Sequence, residues 1–117
     1  MKTYTGGCHC GAFAFEVDTD LEKVITCNCS RCHMLGLVLT FVPLAQFRLT
    51  RGTEDQLTDY RFNRKTIRHL FCPECGVESF GRAQNSAGEE TVAINVRCLQ
   101  EVDLQALALI SVNGKEY

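Results

Sequence analysis

The sequence contains no tryptophan and only two prolines, and neither sign of charge dominates its 117 residues. Twelve Lys and Arg residues are set against fourteen Asp and Glu residues, which gives a formal net charge of -2. This balance provides no excess of positive charge for non-specific electrostatic binding to nucleic acid or to an anionic membrane. No apolar run is long enough to span a bilayer, and the first residues lack the apolar region of a secretory signal. We therefore expect a cytoplasmic protein that binds neither nucleic acid nor membrane.

Eight cysteines are the most informative residues that are present. Seven of them are closely spaced, as a C-x-C pair (Cys8 and Cys10), a C-x-C-x-x-C trio (Cys27, Cys29 and Cys32) and a C-x-x-C pair (Cys72 and Cys75). Disulfides are rare in a reducing compartment, where such spacings are typical of metal ligands. The alternative is a small disulfide-bonded scaffold, but the expected cytoplasmic location favours metal binding.

The remaining pattern predicts a single all-β domain over residues 1–117. Short apolar or alternating segments are separated by Gly, Asn and Asp turns, and no long amphipathic helix is apparent. Strands are expected at 12–17, 24–26, 37–42, 47–50, 57–62, 66–71 and 91–96, with extended chain at 77–82. The segment 37–42 is almost entirely apolar, which predicts a strand buried on both faces. Residues 63–65 should form a turn, Asp103 should cap a helical turn, and Gly6 and Gly7 should form a flexible lead.

The two separated pairs predict a closed structural zinc site. Cys72 and Cys75 have the spacing of a zinc knuckle, in which a tight turn points both thiolates the same way. Cys8 and Cys10 form a shorter chelating turn, with His9 expected as a solvent-facing spacer. Four thiolates fill a tetrahedral ion and leave no position for a substrate. Because the pairs lie about sixty residues apart, the metal would close a long loop and contribute to the folding free energy.

The trio of Cys27, Cys29 and Cys32 predicts a second zinc site with one open position. Three protein ligands leave a fourth position for water or substrate, as in catalytic zinc sites. Three thiolates outweigh the charge of the ion, so this site is poorly suited to generating hydroxide. It is better suited to holding an incoming thiol as a thiolate. We therefore expect a zinc-held thiol that attacks an electrophilic carbonyl carbon.

The sequence leaves open whether a further protein ligand closes this second site. Cys98 is one candidate, although it continues a predicted strand face with Val96, where a small thiol usually packs in the core. His33 is the other, directly after Cys32. A closed site would favour a non-catalytic, zinc-stabilised binding module. Reversible disulfide formation within the trio would instead indicate redox sensing.

A thiol substrate that carries carboxylates needs cationic donors. Arg31 lies within the trio, so we expect it to be held beside the metal and to bind a substrate carboxylate. A basic segment offers further candidates: Arg61, Arg64, Lys65, Arg68 and His69. Of these, Arg64 and Lys65 are more simply explained as a solvated turn. Conceivable proton donors are Asp59, Tyr60 and Glu78.

Three motifs carry a family resemblance: G-C-H-C-G at residues 7–11, C-N-C-S-R-C at 27–32 and F-C-P-E-C-G at 71–76. They resemble the glutathione-dependent formaldehyde-activating enzyme family, and the similarity extends through Tyr60, residues 95–99 and residues 102–103. The resemblance implies a zinc-stapled β-tent of twisted antiparallel sheets. It also implies two zinc ions, a structural one on Cys8, Cys10, Cys72 and Cys75 and a catalytic one on Cys27, Cys29 and Cys32.

The activity that the resemblance implies is the condensation of glutathione with formaldehyde to S-(hydroxymethyl)glutathione, classed as a carbon–sulfur lyase reaction. The expected partners are therefore a small-molecule thiol such as glutathione, and an aldehyde. Exposed sheet edges can also pair between chains, so the sequence is compatible with a homodimer.

Overall fold

The computed structural model describes residues 1–62 and 67–113. Within them are ten strands, one short helix and four 3-10 turns. The strands and the helix are β1 (Lys2–Gly7), β2 (Ala14–Thr19), β3 (Val24–Cys27), α1 (Ser30–Leu35), β4 (Val38–Pro43), β5 (Phe47–Arg51), β6 (Thr58–Tyr60), β7 (Arg68–Phe71), β8 (Phe80–Gln84), β9 (Glu90–Asn95) and β10 (Leu109–Val112). The prediction of a mainly β fold is confirmed. No described helix is both long and apolar enough to cross a membrane.

The strands form two sheets. The smaller has the order β1-β2-β5, and the larger has the order β10-β3-β4-β9-β8-β7-β6. All neighbouring strands run antiparallel except β10 and β3, which are parallel. The predicted hairpin of β6 and β7 is present, with Thr58 opposite Phe71. The turn predicted at residues 63–65 lies outside the described residues.

Aromatic side chains from both sheets meet in the core. The Phe15 ring on β2 lies 5.2 Å from that of Phe47 on β5, and the Phe47 ring lies 4.7 Å from that of Phe80 on β8. Phe15 and Phe80 are each 1% exposed. Burying side chains of this size contributes about 2 kcal/mol each, so this contact holds the sheets face to face.

The strand β1 replaces the flexible lead that Gly6 and Gly7 predicted. A Cβ on Gly7 would lie 2.4 Å from the carbonyl oxygen of Phe13, and a Cβ on Gly6 would lie 2.7 Å from the Phe15 ring. These glycines therefore allow close packing of the chain. The helix α1 and the edge strand β10 were likewise not predicted. The cap at Asp103 is confirmed, because its side chain accepts from the Gln105 N–H at 3.0 Å.

The prediction that β4 is buried on both faces is wrong. Val38, Thr40 and Val42 face the core and are at most 4% exposed. On the opposite face Leu39 is half-buried and Phe41 is 45% exposed. The packing of the two sheets covers one face of β4, so the apolar residues of its other face line an open surface.

Candidate metal centres

Two tight loops at the ends of strands carry the two separated cysteine pairs. The loop between β1 and β2 is closed by the Gly11 N–H, which donates to the Cys8 carbonyl oxygen at 3.3 Å. The loop between β7 and β8 is closed by the Gly76 N–H, which donates to the Cys72 carbonyl oxygen at 2.8 Å. Gly76 has a φ of 77°, a conformation that a side chain disfavours. Each loop thus turns its cysteines towards the other loop.

These two loops bring four sulfurs together, as predicted. The Sγ atoms of Cys8 and Cys10 are 3.7 Å apart, and those of Cys10 and Cys72 are 3.6 Å apart. With Cys75 they form a group whose ligand atoms all lie within 4.8 Å of one another. A tetrahedron with zinc–sulfur bonds of about 2.3 Å separates its sulfurs by about 3.8 Å. The four-cysteine cluster therefore fits a zinc ion, and His9 is exposed beside it.

Hydrogen bonds among these thiols give them unequal acidity. Burial acts to raise the pKa of Cys75, but hydrogen bonds from the Cys10 and Val77 N–H groups and from neighbouring thiols lower it to about 6. The Ala12 N–H acts to lower the pKa of Cys10, whereas burial and hydrogen bonds to the other thiols raise it to about 11. The surroundings of the cluster therefore favour the thiolate of Cys75 over that of Cys10.

The trio is placed by the end of β3 and the start of α1. Cys27 ends β3, and Cys29 caps α1 by accepting from the Cys32 N–H at 3.3 Å. Cys32 lies in the first turn and is 7% exposed. The helix stops at Gly36, which has a φ of 68° and donates to the Cys32 and His33 carbonyl oxygens. A six-residue helix is too short to show a helical period of apolar residues in the sequence. It nevertheless fixes the positions of Cys29, at its cap, and Cys32, in its first turn.

The three sulfurs of the trio form a separate group within 4.8 Å of one another. Burial raises the pKa of Cys32. Burial also acts to raise the pKa of Cys29, but hydrogen bonds from Cys32, Cys27 and the Arg31 N–H outweigh it and lower the pKa. The spacing fits a metal ion held by three thiolates.

Neither candidate for a fourth ligand joins the trio in the part of the chain that the structure describes. His33 is exposed. Cys98 does not continue the strand face as predicted, because β9 ends at Asn95 and residues 96–98 form a 3-10 turn. Burial raises the pKa of Cys98 to about 11, with a further rise from the negative charges of Cys8, Cys75 and Glu78. Cys98 belongs to neither cysteine cluster in the described residues.

A partly buried ion pair connects the trio to the segment after the zinc knuckle. The Arg31 guanidinium donates to Oε1 of Glu78, with side chains 17% and 8% exposed. Oε2 of Glu78 lies 3.7 Å from Nδ1 of His69. The Tyr60 ring covers the guanidinium at 5.3 Å, and the Phe62 ring stacks on His69 at 5.1 Å. Four of these residues were separate candidates from the sequence, namely Arg31, Tyr60, His69 and Glu78. Phe62 was not among them, and the grouping of all five depends on the fold.

The predicted basic segment is largely neutralised by carboxylates in the described residues. Arg61 donates to Asp59 at 2.9 Å, and Arg68 donates to both Glu54 and Asp59 at 3.0 Å. Hydrogen bonds from Arg61 lower the pKa of Asp59, and those from Arg68 add to the effect against some burial. Arg64 and Lys65 lie outside the described residues.

A cavity of about 620 Å³ opens beside the trio. It is lined by all three trio cysteines, by His69 and Glu78, and by apolar residues of the open sheet face. A volume of several hundred cubic ångströms is typical of small-molecule sites. The three sulfurs, the side chains of His69 and Glu78 and a mainly apolar wall therefore border one space.

Comparison with known proteins supports the family resemblance. A family model described as glutathione-dependent formaldehyde-activating enzyme matches residues 3–110, which include all seven clustered cysteines. The fold is also similar to a crystal structure of a Rhodobacter sphaeroides protein determined as a structural genomics target. That chain is 31% identical, the match covers 92% of this chain and 97% of the other, and the TM-score is 0.78.

Proposed function

The chain belongs to the glutathione-dependent formaldehyde-activating enzyme family, and we propose that it is a zinc-dependent enzyme of the carbon–sulfur lyase type. Its reaction is the condensation of glutathione or another thiol with formaldehyde or a related aldehyde. The observation that supports this most directly is the trio. Its three sulfurs border a cavity, and no fourth His, Cys, Asp or Glu among residues 1–62 and 67–113 joins their group.

The reaction forms a bond between the thiol sulfur and the aldehyde carbon, and it breaks the carbonyl π bond. The proton of the thiol ends on the new hydroxyl oxygen, so atoms and charge balance. A zinc ion on Cys27, Cys29 and Cys32 would supply the Lewis acidity that keeps the thiol deprotonated near neutral pH. The hydrogen bond from the Cys32 N–H orients the Cys29 sulfur for this role.

The proton transfer is assigned to the buried pair of His69 and Glu78, which line the same cavity as the trio. General acids and bases act within hydrogen-bond reach of the reacting group. Arg31, expected from the sequence to bind a substrate carboxylate, is proposed as the cation that fixes Glu78 beside the trio. The cysteines lack disulfide partners, which suits the reducing cytoplasm that we propose as the site of the reaction.

The test is NMR exchange spectroscopy on zinc-loaded protein with formaldehyde and either glutathione or the small neutral thiol 2-mercaptoethanol. We expect exchange between free aldehyde and the S-hydroxymethyl adduct to be faster than the spontaneous rate for at least one thiol. Cys27→Ser should lose the acceleration. Cys98→Ala, a matched change outside both clusters, should retain it.

Zinc stoichiometry is measured on the same samples. Two zinc ions per chain with no acceleration for either thiol would contradict the proposal. Two ions that are both fully ligated by protein would indicate a zinc-stabilised binding module instead.

A further inference from the structure

The cavity wall beyond the trio is mainly apolar, with polar side chains from Gln84, Asn85 and Ser86 at one part of it. We call the apolar part the groove and define it by five residues: Leu39, Phe41, Gly81, Ala83 and Ala93. It lies on the open face of the larger sheet, where Phe41 is 45% exposed. This is the face that the apolar run at 37–42 wrongly predicted to be buried.

Strand register explains why the groove is a trough. Phe41 on β4 is directly opposite Ala93 on β9, and Ala93 is directly opposite Gly81 on β8. Gly81 is in turn opposite His69 on β7. Residues directly opposite one another share one face of a sheet. Two small residues therefore lie between Phe41 and His69, which lowers the surface there. A Cβ on Gly81 would lie 2.8 Å from the Arg68 carbonyl oxygen and 3.9 Å from Oε2 of Glu78, so this end of the trough is bordered by Glu78.

The described residues around the groove offer little to bind the charges of glutathione, and Arg64 and Lys65 lie outside those residues. Among the described residues that line the cavity, Arg68 is the single Lys or Arg, and its Nε and Nη1 already donate to Asp59 and Glu54. The guanidinium of Arg31 is likewise paired with Glu78. A buried carboxylate without a cation is costly. Two carboxylates of a tripeptide would find no unpaired arginine among these residues.

The volume alone does not select a ligand, because about 620 Å³ admits a tripeptide as well as a smaller molecule. The apolar character of the groove does discriminate between thiol substrates. Apolar surface gains from being covered by apolar surface, and the groove begins at the cysteines where a thiol sulfur would be held.

We infer that the thiol substrate carries an uncharged apolar substituent, a short alkyl or aryl group, that lies in the groove over Ala93 and Gly81. This inference rests on the proposed function for its reaction, but it concerns the choice of thiol. The aldehyde can then remain as small as formaldehyde.

The first experiment measures binding rather than turnover. Zinc-loaded protein is titrated with ethanethiol, 1-butanethiol, 1-hexanethiol and glutathione, and dissociation constants are read from amide NMR shifts. We expect each added methylene to tighten binding about threefold to fourfold, with shifts at Ala83 and Ala93. Glutathione should bind more weakly than 1-hexanethiol. Tighter binding of glutathione, or no dependence on chain length, would overturn the inference.

A variant pair localises the effect. Ala93→Leu should fill the trough and weaken 1-hexanethiol at least about tenfold, while ethanethiol changes less than about threefold. Ala45→Leu adds the same atoms at an exposed position outside the cavity and should change neither. Zinc content and melting temperature confirm folding, and Ala83→Leu replaces Ala93→Leu if that variant fails to fold. An equal loss for both thiols would overturn the location.

Adduct exchange with formaldehyde is measured in parallel, so the two proposals fail separately. Selective binding of 1-hexanethiol without exchange would contradict the enzymatic proposal and leave the groove assignment intact. Accelerated exchange with glutathione and no selective binding of 1-hexanethiol would contradict the groove assignment and leave the enzymatic proposal intact. A preference for longer aldehydes, with no preference among thiols, would overturn the assignment of the groove to the thiol.

Discussion

The two cysteine clusters contain the same ligand atom but are assembled differently. The four-cysteine cluster joins Cys10 to Cys72, which are 62 positions apart along the chain. The trio comes from the six consecutive residues 27–32. Treated as a cross-link, closing a loop of about sixty residues contributes about 4 kcal/mol to stability, and closing one of about six residues contributes about 2 kcal/mol. A metal bound at the four-cysteine cluster would therefore stabilise the fold. The trio, in contrast, is positioned by a fold that forms without it.

The trio also depends structurally on the four-cysteine cluster, whereas the four-cysteine cluster does not depend on the trio. Glu78 follows the knuckle cysteine Cys75 by three residues and pairs with Arg31 inside the trio. The position of Glu78 depends on the loop that the four-cysteine cluster organises. Loss of the four-cysteine cluster should therefore disturb the trio, while loss of the trio should leave the other cluster in place. This asymmetry can be tested at four levels.

The largest effect is expected from metal removal or from Cys72→Ser. Cys72 is 0% exposed, and the loss of about 4 kcal/mol is a large part of the stability of a small domain. The cooperative thermal transition, followed by circular dichroism, should broaden or disappear with a strong chelator. Cys27→Ser, the matched change in the trio, should keep a cooperative transition. A melt that is unchanged once both zinc ions have been removed would refute the structural role.

The next effect is expected from Arg31→Met, which leaves Glu78 buried without its cation. Removing one partner of a buried pair costs about 3 kcal/mol, whereas replacing both with apolar residues is often near neutral. The double variant with Glu78→Leu should therefore recover much of the loss in urea unfolding. Near-additive losses would argue against the coupling.

The same Arg31 variant separates two roles in catalysis. If Arg31 binds a substrate carboxylate, the KM for glutathione should rise with little change in kcat or in zinc content. If it positions Glu78, kcat should fall for charged and uncharged thiols alike. Loss of the trio's zinc in this variant would point to a purely structural role.

A smaller effect on stability is expected from Cys27→Ser. The trio closes a short loop, so the variant should lose about 2 kcal/mol or less of unfolding free energy, together with one of two zinc ions and the activity.

In cobalt-substituted wild-type protein, added thiol should change the absorption of one metal site and leave the other unchanged. If both sites respond, the contrast between an open and a closed centre is wrong.

The ligand clusters were predictable because metal-binding spacing is local, and the fold only had to bring two loops together. Central strands such as β2 and β9 were predictable because their apolar residues alternate or run together. The edge strands β1 and β10 were missed because their side chains are mostly exposed, so no pattern marks them. The helix α1 has too few turns to show a period.

Contacts between residues far apart in the chain could not be predicted from the sequence. Arg31 and Glu78 are 47 positions apart, and nothing in either segment indicates the other. The open face of β4 was misread for a related reason. An apolar run is compatible with two-sided burial or with an apolar binding surface, and the layers that cover the sheet decide between them.

The smallest effects are expected from Cys98→Ala and His33→Ala, and they decide how many ligands the trio has. Cys98 lies in a 3-10 turn, and no metal-ligand group in the described residues contains it or His33. Each variant should keep two zinc ions and lose less than about 1 kcal/mol. Mass spectrometry under native conditions counts the ions, and melting measures the stability. If either variant retains only one zinc, that residue closes the trio, and the two clusters differ in loop length but no longer in chemistry.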